Sequence, residues 1–78
     1  MAKAKGYQGW PSWNQWNVAL YVANDYGLYT LARRCYRETG SIEAAAEQML
    51  RKVPARTPDG APFTITALKG AIAAVVSE

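Results

Sequence analysis

Apolar positions return at helical spacing in four stretches of the chain. The cleanest lies at Ile42, Ala45, Ala46, Met49, Leu50 and Val53, an unbroken i, i+3, i+4 repeat. Ser41 precedes it as an N-cap and Pro54 stops it near Val53. Glu43, Glu47, Gln48, Arg51 and Lys52 fill the opposite face, where Glu47 and Arg51 form a favourable i,i+4 pair. Upstream, Trp13, Trp16, Leu20 and Ala23 fall on one face of a first helix ending near Ala23, which predicts them as its core side, flanked by Asn14 and Asn17. Ser12 followed by Gln15 is a capping-box pattern at its start.

Asn24-Asp25 marks a break, and a second helix is predicted from Tyr26 to Thr39. Leu28, Leu31, Ala32 and Cys35 line its inner side, with Tyr29 and Tyr36 on a flank and Arg33, Arg34 and Arg37 grouped opposite. Gly40 supplies the left-handed residue that ends it. After Pro54, Thr57-Pro58-Asp59-Gly60 is a turn signal, and Ala55–Thr57 with Pro62–Ile65 predicts a short β-hairpin around it. A last helix after Thr66 turns Leu68, Ile72, Val75 and Val76 inward, with Gly70 allowing close packing. The fold class expected is therefore mainly α: one small bundle of about four helices with a short hairpin before the last. Residues 1–9 read as a flexible basic arm and 10–78 as a single helical domain.

Composition narrows the chemistry. Histidine is absent and Cys35 is the single cysteine, so neither an intrachain disulfide nor a zinc site of several Cys or His ligands is available. Acid–base catalysis leans on His or on a tuned carboxylate pair. The carboxylates here are Asp25, Glu38, Glu43, Glu47, Asp59 and Glu78, which read as caps or solvated charges. Cys35 falls on an inner face with no His partner, as packing rather than as a nucleophile. The expectation is a protein that is not an enzyme and takes no cofactor. The longest apolar run, near Ala71–Val76, is far short of the roughly 20 residues a bilayer needs. With one thiol and no export signal, a cytoplasmic setting is expected.

What remains is binding. Three Trp and five Tyr exceed what one small core can enclose, and Trp, Tyr and Arg are the residues most enriched at binding hot spots. Trp10, Tyr21, Tyr26 and Tyr29 are the surplus aromatics. They border a basic set made of Arg33, Arg34, Arg37, Arg51, Lys52 and Arg56 in a chain of net charge +3. Such a set suits an acidic protein surface or nucleic acid.

Two resemblances bear on the choice. Residues Glu38 to Gln48, read Glu-Thr-Gly-Ser-Ile-Glu-Ala-Ala-Ala-Glu-Gln, look like the opening of a Fis-type helix-turn-helix. That would imply a nucleic-acid-binding module, although the following helix offers only Thr66, Lys69 and Ser77 as polar groups. The blocks Ser12-Trp-Asn-Gln-Trp-Asn-Val-Ala-Leu-Tyr, Asn24-Asp-Tyr-Gly-Leu-Tyr and Thr57-Pro-Asp-Gly resemble a family of short proteins from phages and other mobile elements. That resemblance implies a virus-encoded accessory protein, and analogy of size and origin with other small phage proteins points to one that inhibits a host defence system in the host cytoplasm. In the anti-CRISPR manner it would mask a CRISPR interference complex from target DNA, acting as a monomer or weak homodimer.

Overall fold

The structure, a computed structural model, describes residues 9–77. The basic arm expected over 1–9 lies outside the described residues except for Gly9. Among the described residues there are four helices: α1 (Trp13–Asn24), α2 (Tyr26–Thr39), α3 (Ile42–Leu50) and α4 (Ile65–Val76). Each starts on a side-chain cap. The Ser12, Asp25, Ser41 and Thr64 side chains accept from the backbone amides of Gln15, Leu28, Ala44 and Ala67, which satisfies helix-start donors that have no partner within the helix. In the first cap the Ser12 hydroxyl also donates to the Gln15 side-chain oxygen at 3.2 Å. Gly40 closes α2 at φ 78°, a conformation open to glycine because it has no Cβ.

α4 is the central element and packs against α1, α2 and α3. Its Ala67, Leu68, Ala71, Ile72 and Val75 are buried, and they meet Val18 and Val22 of α1, Ala32 and Cys35 of α2, and Ala45, Ala46 and Met49 of α3 in one core. Alanine is the commonest residue of that core, so the helices approach closely and the interior is thin. Its largest fully buried side chains are Met49, Leu68 and Ile72, each worth about 1.5–3 kcal/mol.

Three expectations are corrected. Trp13 and Leu20 do not face the core: they are 40% and 38% exposed, and Ala23 is exposed too. α1 turns the opposite face inward, with Val18 and Val22 fully buried. Both faces of α1 are apolar, so periodicity could not choose between them. An interior built largely of alanine accepts valines and has no room for two indoles. The β-hairpin is also absent. Residues 54–64 form a loop closed by the bonds Thr57 N to Ala61 O at 2.8 Å and Phe63 N to Ala55 O at 3.0 Å. Between them lies one isolated antiparallel bridge, Arg56 to Pro62, and no strand; Pro62 has no N–H to extend a ladder. Finally, α3 ends at Leu50 and residues 51–53 form a turn, while α4 starts at Ile65, ahead of the expected Thr66.

Candidate protein-binding face

The two Trp-Asn pairs and the turn at 57–60, far apart in sequence, meet in a buried polar joint. Asn17 is fully buried, donates from Nδ2 to Asp59 Oδ2 at 3.0 Å, and accepts from the Thr57 hydroxyl at 2.6 Å. The same hydroxyl accepts from the Ala61 amide at 3.1 Å. One turn earlier, Asn14 donates to the Pro62 carbonyl at 3.2 Å. Tyr21, one turn further along α1, lies near Asp59, and its pKa is raised, first by desolvation and then by the Asp59 carboxylate. Gly60 has φ 96°, as a tight return of the chain requires. The Asn residues therefore clamp a distant loop onto α1. Read from sequence, Asn14 and Asn17 only flank the apolar face of the first helix, and Asn17, Thr57 and Asp59 are missed as one unit. The signal available was the unusual repeat of Trp-Asn at three-residue spacing.

The structure divides the expected binding residues among several places. Trp10 is half-buried against α4: a Cβ at Gly70 would lie 2.8 Å from its ring. Gly70 therefore makes room for an indole rather than for another helix. Tyr21 belongs to the polar joint. Arg56 donates to the Gly60 carbonyl at 2.9 Å and, with Tyr21, Asp25, Leu28 and Phe63, borders a cleft of about 290 Å³. Arg51 and Lys52 lie exposed in the turn after α3. Lys52 and Arg34 both act on Cys35 at the seam of α2 and α3. There burial and Glu38 push the thiol pKa up, against the Gln48 hydrogen bond, Lys52 and Arg34. The Gln48 amide donates to that sulfur at 3.6 Å and to Glu38 at 2.8 Å.

The remaining residues do come together. Tyr26, Tyr29, Arg33 and Arg37 follow one another at three- and four-residue spacing along α2, which stacks them on a single face. Tyr26 is 82% exposed. Arg33 lies over the Tyr29 ring at 5.7 Å, a cation–π contact, and donates to the Val75 carbonyl at 3.4 Å. That second contact places a cation at the C-terminal end of α4, where unpaired carbonyls favour positive charge. Arg33 and Arg37 flank a groove of about 260 Å³ floored by Tyr36 and Val76. Arg34 sits at the rim of this face, roughly 100° round the helix from Arg33. Two guanidiniums above an apolar floor can take a carboxylate and the alkyl stem that carries it.

Among the described residues no cluster of His, Cys, Asp and Glu could hold a metal ion, and no helix is long and apolar enough to cross a membrane. Over residues 3–76 the sequence matches a family of unknown function, DUF7249. The chain belongs to that family. No curated protein and no solved structure matches it.

Proposed function

We propose that this member of the DUF7249 family is a non-enzymatic binding protein whose α2 face docks on an acidic patch of a partner protein. The observation that carries the reading is the alignment of Tyr26, Tyr29, Arg33 and Arg37 on one helix face, with Tyr26, Arg33 and Arg37 exposed and Tyr29 half-buried, beside the groove between the two arginines. Exposed tyrosine costs little conformational entropy to fix, and arginine offers paired donors for carboxylates. The resemblance to phage and mobile-element proteins gives the setting. The chain would inhibit a host defence system by covering a surface of a CRISPR interference complex that DNA must reach.

Nucleic-acid binding is the competing reading, and the position of α4 weighs against it. In a helix-turn-helix opening at Thr39-Gly40-Ser41, α4 would be the helix that reads bases. It is instead the central helix of the bundle, with five buried positions, and Thr66 and Lys69 are the exposed polar groups of its first half. An electrophoretic shift with bare duplex DNA across a salt series separates the two readings. The proposal expects no shift at physiological salt. A tight complex that weakens steeply with salt would overturn it. For the finer setting, target-DNA binding by a purified interference complex should fall when wild-type protein is added and persist with Arg33→Glu/Arg37→Glu.

A further inference from the structure

Among the described residues, the side of α1 that faces away from the core is covered by no other helix. Trp13, Trp16, Leu20 and Ala23 form a continuous apolar stripe there. Trp10, Trp16, Leu20, Ala23, Ala74 and the uncharged amide Asn24 border a groove of about 200 Å³ beside it. α1 contains no charged residue at all. The adjoining strip of α4 presents Ala73 and Ala74, next to Gly70, which the Trp10 ring covers. Lys69, the one charge of α4, lies roughly 100° further round that helix than Gly70. Among the described residues the result is a mostly apolar surface without charged side chains, while Arg33, Arg34, Arg37, Arg51, Lys52 and Arg56 lie on α2 and in the segment after α3.

We infer that this surface is a self-association face, and that its occupant is a second copy of the chain in antiparallel, two-fold contact along α1. Two features select a second copy over another partner. A surface without charge offers no complementary sign to a charged partner and no repulsion to its own copy. The two prominent side chains are also self-matched. Trp13 and Leu20, the exposed large apolar residues of α1, stand seven residues apart, about 10 Å along the axis. A two-fold axis midway between them sets each Trp13 on the Leu20 of the second copy, so that both are covered by one operation. Such an isologous contact closes and forms a dimer rather than a fibre.

The area sets the strength. α1 has 12 residues and is about 18 Å long, and with the edge of α4 the strip covers roughly 400 Å² per copy. A standard interface buries about 800 Å² per partner, so the dimer is weak, micromolar or weaker. The α2 face takes no part in this contact, so a dimer carries two of them.

Sedimentation equilibrium of the full chain from about 5 µM to about 1 mM tests the inference. The average mass should climb from monomer towards dimer. Leu20→Glu and, separately, Ala23→Glu should each weaken association at least tenfold, while Tyr26→Ala leaves it unchanged. All three positions are exposed, and circular dichroism checks that each variant is folded. A chain that stays monomeric throughout overturns the inference. So does association that survives both glutamate variants, or that Tyr26→Ala abolishes. The proposed function, which rests on α2, is untouched if the chain stays monomeric or if association survives both glutamate variants; loss of association in Tyr26→Ala would place the self-contact on α2 instead.

Discussion

Replacing Asn17 with alanine should unfold this domain more readily than any other change of similar size on α1. The side chain is fully buried and carries two bonds, to Asp59 at 3.0 Å and from Thr57 at 2.6 Å. Removing it strands the Thr57 hydroxyl hydrogen, which is also buried; an unsatisfied buried donor costs about 1–3 kcal/mol. Asp59 is exposed and recovers water, so the loss of its charge-assisted bond stays near the low end of about 1.5–3 kcal/mol. The expected loss is therefore about 3 kcal/mol. A chain of this length has roughly 4–12 kcal/mol in all, and the melting temperature should fall by about 12–24 °C. Urea denaturation followed by tryptophan fluorescence and far-UV circular dichroism measures this directly. Asn24→Ala is the matched control: it is exposed and bonds only to the Leu20 carbonyl of its own helix at 2.9 Å, so it should cost under about 0.5 kcal/mol. If the two variants lose the same stability, the buried joint is not what fastens the 54–64 loop, and the reasoning fails.

Other outcomes follow from the same contacts. Thr57→Val combined with Asn17→Ala should lose less than the sum of the single losses, with a coupling of about 0.5–3 kcal/mol in a double-mutant cycle. Gly70→Ala gains helix propensity of about 1 kcal/mol, yet its Cβ would stand 2.8 Å from the Trp10 ring. Trp10 must lift off α4, so thermal melts should show a net loss and tryptophan emission should shift to the red. Tyr21 has its pKa raised above 10.0 in the fold by desolvation and by Asp59. Its contribution is thus complete below pH 10 and declines as the pH rises through the raised value. Tyr21→Phe should flatten that alkaline decline in denaturation curves measured against pH. Cys35, buried and with its thiol pKa raised, should react with a disulfide reagent far more slowly in the native chain than in urea.

Much of the fold could be read from short-range chemistry. The α2 boundaries, the caps at Ser12, Asp25 and Ser41, and the stop at Gly40 depend on neighbours within four residues, and those signals stand in the sequence. The wrong face of α1 and the missing hairpin have a common cause. Each depends on what approaches from elsewhere in the chain. Val18 and Val22 win the interior because α4 meets them with alanines, and the 54–64 segment remains a loop because Asn14 and Asn17 hold it to α1. Similarly, the α2 residues of the candidate site were legible because one helix carries them. Trp10, Tyr21 and Arg56 belong elsewhere because contacts with Gly70, Asp59 and Gly60 claim them.

The most direct test of the binding account is capture from a host-cell lysate by immobilised wild-type chain beside folded Arg33→Glu/Arg37→Glu. At physiological salt, wild type should retain a specific protein complex and the variant should lose most of it, with Leu20→Glu retaining as much as wild type. Equal recovery by the α2 variant, or recovery of nucleic acid alone, would contradict the account.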